Sequence, residues 1–125
     1  MSNNCDNELI VTIVKRGWSE PVITAARGAG AEGGTILLGR GTGIHEMKTL
    51  LGIAIEPEKE IVLTVVAAYQ TDVVLDAIVA AAELDRPGMG LAFVIPIRRI
   101  AGRVHMFLKD EAEEPEGPGV PRSPI

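Results

Sequence analysis

The chain has 125 residues, 46% of them hydrophobic and only 3% aromatic, and carries a formal net charge of -5. That length and apolar content support one compact core rather than two. The acidic balance, with no dense basic patch in either half, argues against a nucleic-acid partner.

With aromatics scarce, Val, Ile, Leu and Ala must fill the core, as in a strand-rich sheet under Ala-rich helices. The single Cys5 can make neither an internal disulfide nor a Cys-based metal site, and a free thiol suits a reducing cytoplasm. The first residues lack the basic and apolar regions of a secretory signal. No apolar run reaches the ~18–20 residues of a membrane helix. A cytoplasmic protein that does not itself span a membrane is expected.

Residues 9–14 form a β-branched apolar run of strand length, closed by Lys15, Arg16 and Gly17. Residues 18–29 carry Val22, Ile23, Ala26 and Ala29 near helical spacing, with Ser19 as N-cap and Pro21 in the first turn. A stretch holding Gly30, Gly33, Gly34, Gly39, Gly41 and Gly43 follows, and residues 35–38 within it read as strand two. Such glycine density lets a backbone present its amides to an anion. About twenty residues without a convincing period precede the longest strand, 60–68. Residues 71–84 make the second helix, with apolar positions at 74, 75, 78, 79, 81 and 82 and Thr71 as cap. A smaller glycine turn, 86–90, leads into strand four, 91–95, which Pro96 should stop.

The order βαββαβ predicts an α+β, ferredoxin-like sandwich with two helices on one face of a four-stranded antiparallel sheet. Residues 1–107 form this domain. Residues 108–125, acidic and rich in Pro and Gly, read as a disordered tail. Strand three is apolar on both faces, so self-association is the simplest cover for the second one.

The order of elements, the Gly-Gly-Thr35 start of strand two, the Gly41-Thr-Gly43 turn, the long loop and Pro-Gly-Met-Gly90 resemble the P-II nitrogen-regulatory signal proteins. The likeness covers about residues 8–100. It implies a homotrimer that binds an adenine nucleotide (ADP, AMP or ATP) in clefts between subunits. It also implies that a T-loop, here residues 40–59, docks on a target protein, such as an enzyme of nitrogen assimilation or a membrane transporter. Magnesium and 2-oxoglutarate commonly accompany the nucleotide in that family; some divergent members respond to bicarbonate or other small anions.

Carried over by position, the resemblance puts Thr35 and Ile13 at the adenine pocket, with Gly33, Gly34 and Val65 as further nucleotide-binding candidates. It matches Gly41 and Gly43 to the foot of the T-loop and Gly88 and Gly90 to a phosphate-facing turn, with Thr42, Met89, Arg99 and Arg103 as further nucleotide-binding candidates. Arg40, His45, Glu46, Lys48, Leu50, Leu51, Ile53 and Lys59 fall in the partner-binding loop. The departures all remove positive charge: Leu91 replaces a lysine, Gly102 and Val104 replace two arginines, and Ile44 replaces another arginine. ADP or AMP is therefore expected to bind at least as tightly as ATP.

Blander readings exist for the same residues. Gly33, Gly34, Gly41 and Gly43 also suit a helix C-cap and a hairpin turn, and Arg98, Arg99 and Arg103 a solvated edge. Asp72 and Asp76, one helical turn apart, lack the companions that catalysis would need, so no enzyme is expected. A metal-binding or structural trimer of copper-tolerance type is the alternative, against which the lack of clustered His, Cys or Met counts.

Overall fold

The structure is a computed structural model that describes residues 6–41, 48–51, 53–55 and 57–102. The expected tail, 108–125, lies outside the described residues. The elements run β1 (Asn7–Lys15), α1 (Ser19–Gly28), β2 (Thr35–Arg40), β3 (Lys48–Leu50), β4 (Ile53–Ile55), β5 (Glu58–Ala67), a 3-10 turn (Ala68–Gln70), α2 (Thr71–Ala82) and β6 (Gly90–Ile97). The four long strands form one sheet in the order β2-β5-β1-β6, every pair antiparallel, and β3 and β4 form a separate hairpin. This is the expected ferredoxin-like α+β fold with a hairpin inserted between β2 and β5.

Period-two alternation sorts the strand residues onto the two faces. Ile10, Thr12 and Val14 of β1 and Val62, Thr64 and Val66 of β5 are completely buried under the helices. There they meet Val22 and Ala26 of α1 and Val74, Ile78 and Ala82 of α2. The three α2 residues recur every fourth position, a single stripe facing the sheet. Among the described residues neither helix covers the other face. Its rows read Leu37–Ile61–Ile13–Leu91 and Thr35–Leu63–Val11–Phe93 across the four strands.

Several boundaries differ from the sequence expectation. Pro96 does not stop the last strand, which runs to Ile97, because β6 is an edge paired only with β1 and an edge tolerates a residue without an N–H donor. Ser19 and Thr71 are not N-caps but the first residues of their helices, and the cap positions fall to Trp18 and Gln70, neither of which makes a side-chain capping bond. Each hydroxyl residue is instead buried and tied to a strand carboxylate. Thr71 Oγ1 donates to Glu8 of β1 at 2.5 Å, and the Ser19 amide donates to Glu60 of β5 at 3.0 Å.

These ties expose an internal repeat. One constant shift along the sequence carries Glu8 onto Glu60, Ile10 onto Val62, Thr12 onto Thr64, Val14 onto Val66, Ser19 onto Thr71 and Val22 onto Val74. The fold is thus two βα units packed head to tail through the antiparallel β1–β5 pair, with each unit's strand glutamate holding the first turn of the other unit's helix.

The repeat also duplicates a cost. Thr12 and Thr64 are wholly buried, and neither Oγ1 has a hydrogen-bond partner. A buried hydroxyl without a partner forfeits its hydration with no return. Replacing either by the near-isosteric valine, Thr12→Val or Thr64→Val, is expected to raise stability by about 1 kcal/mol, read as a higher urea midpoint at unchanged slope. A loss of stability in both would show that the hydroxyls are satisfied.

Candidate functional site

β2 and β5 are antiparallel neighbours with Arg40 opposite Glu58. A turn of about two residues could join them there, yet residues 41–57 intervene, so the fold itself does not require this segment. Within it β3 and β4 pair Lys48 with Ile55, Thr49 with Ala54 and Leu50 with Ile53. Leu51 follows β3 with a positive φ of 54° and is 93% exposed. A two-stranded hairpin with an exposed leucine is a poor stand-alone element in water, which fits a segment made for contact.

The insertion leaves the sheet at the same end as the second glycine turn. Gly39 lies opposite Lys59, Lys59 opposite Lys15, and Val14 opposite Gly90. Lys15 and Lys59 are therefore side by side on the open face. Lys59 is only 8% exposed. Sequence reading placed Lys59 in the partner-binding loop and did not single out Lys15; the signal was their shared register, which no single-strand pattern contains.

Of the other residues assigned from the sequence, Ile13, Thr35 and Val65 share the open face. They are not side by side: Ile13 is level with Ile61 and Thr35 with Leu63, which puts Ile13 and Val65 about 13 Å apart along the strands. Gly41 follows β2, Gly88 and Met89 precede β6, and these two edges are separated by β5 and β1, about 14 Å. Arg99 follows β6 at the opposite end of the sheet, beyond the Ile97–Asn7 pair. One chain thus brings the lysine pair close to either glycine turn but does not bring the two turns, or Arg99, together. Thr42, Gly43, His45, Glu46 and Arg103 lie outside the described residues. Arg40 ends β2 and is exposed. Leu91, 52% exposed, completes the apolar row through Ile13 and Ile61.

The opposite side of the sheet end is held by carboxylates. Glu60 Oε1 accepts from the Gly17 and Ser19 amides, each at 3.0 Å, and Arg16 Nη1 donates to Glu58 Oε1 at 2.7 Å. The Glu60 carboxyl is held below its ordinary value of 4.5, chiefly by the Ser19 side-chain hydrogen bond and further by the two amides and Arg16. Among the described residues no three His, Cys, Asp or Glu side chains come together as a metal site. Cys5, His45 and His105 lie outside the described residues. No helix among them is long and apolar enough to cross a membrane.

The family described as Nitrogen regulatory protein P-II matches residues 7–103, from the first residue of β1 to just past β6. The chain belongs to the P-II family. No curated protein matches the sequence. This P-II chain is accordingly a nitrogen-regulatory signal protein in the general sense, of a family whose members are trimeric regulators of target proteins rather than enzymes.

The P-II glycines are not all explained by a ligand. A Cβ on Gly90 would lie 2.2 Å from the Ile13 carbonyl oxygen, and φ there is +134°. The close approach of β6 to β1 therefore demands glycine by itself. Gly34 is similar, since a Cβ would meet the Leu63 carbonyl oxygen at 3.2 Å and Val62 Cγ1 at 3.1 Å. Gly41 differs: its φ is ordinary, and the nearest atom to an added Cβ is Lys59 Cγ at 4.0 Å. Gly90→Ala is expected to destabilise the P-II fold by more than about 3 kcal/mol. Gly41→Ala should change its thermal midpoint little. Thermal unfolding of both variants checks this, and a Gly90→Ala protein as stable as the parent would contradict it.

Proposed function

We propose that this P-II chain is a non-enzymatic signal transducer that binds an adenine nucleotide in clefts between the subunits of a homotrimer. It regulates a target, in nitrogen metabolism or at a membrane transporter, through T-loop residues 40–59. One observation carries the reading: the two glycine turns lie at the same end of the sheet but on opposite edges. A ligand that touches both must bridge two copies, with the β2 edge of one beside the β6 edge of the next. The apolar open face supports the same assembly, because Leu37, Leu91, Phe93 and Ile95 are all exposed in the single chain. Apolar side chains lined up on one exposed face suit an interface between copies.

Within such a cleft the glycine turns offer backbone amides to phosphate oxygens, and Lys15 and Lys59 offer the nearest positive charge. The outer phosphates fare worse. The row at Leu91 is apolar across all four strands, and each charge-assisted hydrogen bond forgone there costs about 1.5–3 kcal/mol, or tenfold and more in affinity. ADP or AMP is thus the ligand we assign, with magnesium making little difference. Thr35 and Ile13 take the base side in this reading, with Val65 farther along the strands. A 2-oxoglutarate or other small-anion site is left to the lysine pair at the loop's foot. The loop, not required by the fold, is the part that docks on a target.

Light scattering after size exclusion is expected to give three times the 13.3 kDa chain mass at micromolar concentration. A monomer there would remove the inter-subunit cleft altogether. Calorimetry is expected to show ADP or AMP binding at least as tightly as ATP, with or without magnesium. ATP binding that is clearly tighter, and lost in Arg103→Ala, would mean that an arginine outside the described residues supplies the missing charge.

A further inference from the structure

The internal repeat gives Glu60 and Glu8 the same architectural task at opposite ends of the sheet, but only one of those ends carries the insertion. We infer that Glu60 is a positioning residue, which fixes the return strand of the insertion, and with it Lys59, to the first turn of α1. β5 starts at Glu58, just after Pro57, whose carbonyl accepts from the Gly41 amide at 3.2 Å, and its first residue has a strand neighbour on one side only. Glu58 pairs with β2 through Arg40 but lies beyond the last β1 partner, since the β1 ladder ends at Lys15–Lys59. The Arg16–Glu58 ion pair is exposed on both sides and adds little. Terminal rungs of this kind open locally long before the whole fold does.

The Glu60 side chain is gripped from several directions, by the Gly17 amide, the Ser19 amide and the Ser19 side chain. The helix gains as well, because its first turn has no cap of its own and takes this carboxylate in place of one. Residues 58 and 60 face the helix side, so alternation aims Lys59 at the open face beside Lys15, Gly39 and Gly41. Anchoring the residue after Lys59 to a helix N-terminus therefore sets where the Lys59 ammonium can reach. Glu8 makes the equivalent tie to Thr71 next to the Asn7–Ile97 end, far from the insertion. It is a built-in control for a purely structural role.

The test compares Glu60→Ala with Glu8→Ala in the full chain, by amide exchange without nucleotide and by calorimetry with ADP. In Glu60→Ala, exchange of the amides at 58–61 is expected to quicken about tenfold or more and ADP affinity to fall. Glu60→Gln, which keeps the acceptor oxygen, should recover part of both. Glu8→Ala should leave both readouts at their parental values. Unchanged exchange at 58–61 in Glu60→Ala, or equal changes in the two alanine variants, would overturn the inference. Quickened exchange with unchanged ADP affinity would overturn the positioning of Lys59. If Glu60→Ala does not fold, Ser19→Ala serves in its place with a smaller expected quickening, and no quickening there overturns the inference equally. The affinity arm rests on the nucleotide-binding reading and the exchange arm does not. A parent that binds no nucleotide but shows the exchange difference would sink that reading and leave the tie standing.

Discussion

A four-stranded sheet has two faces, and this chain has helices for only one of them. α1 and α2 fill the side of Ile10, Val14, Val62 and Val66 to full burial, while Leu9, Ile13, Ile61, Leu63 and Phe93 on the other side keep contact with solvent. The hydrophobic effect scales with the apolar area removed from water, so covering this face by association would add stability. Position 91 shows how far that constraint reaches. A lysine there would interrupt the apolar row through Leu37, Ile61 and Ile13, whereas Leu91 continues it to the edge of the sheet. A charge and an unbroken apolar face compete for that one position.

The fold was legible because its core signals are local. Two β-branched runs, two helical stripes and two glycine turns sit in an order that few architectures accommodate, and each recurs in the structure within a few residues. What local pattern could not give was any feature created by a neighbouring strand. Ser19 and Thr71 look like caps because hydroxyl residues suit helix starts, but their carboxylate partners Glu60 and Glu8 are on other strands. Pro96 looks like a stop until β6 proves to be an edge. β3 and β4 are each three residues long, too short for period-two alternation to show.

The site was less legible for the same reason. Glycine is ambiguous in sequence, since a ligand and a close backbone approach both demand it. Gly90 faces the Ile13 carbonyl and Gly41 faces nothing closer than Lys59, a distinction only the folded chain makes. The Lys15–Lys59 pair is a matter of register between two strands. So is the separation of the glycine turns onto opposite edges, which turns a set of plausible ligand residues within one chain into an argument for two chains.

The repeat explains where function could be added without disturbing the fold. Two βα units with matching strand and helix starts already close the core, and the joint between them, from β2 to β5, needs only a tight turn. A longer joint costs little, since loop-closure entropy grows slowly with length. The consequence is that β5 is no longer joined to β2 by a tight turn, and the second unit's glutamate ties its start to the first unit's helix. That tie is steady near neutrality. The Glu60 carboxyl is held below 4.5 by the hydrogen bonds it accepts, so its contribution is fully present above the ordinary carboxylate value and is lost only as pH falls through the lower folded one. At neutral pH Glu60 is thus a fixed anchor and not a titrating switch.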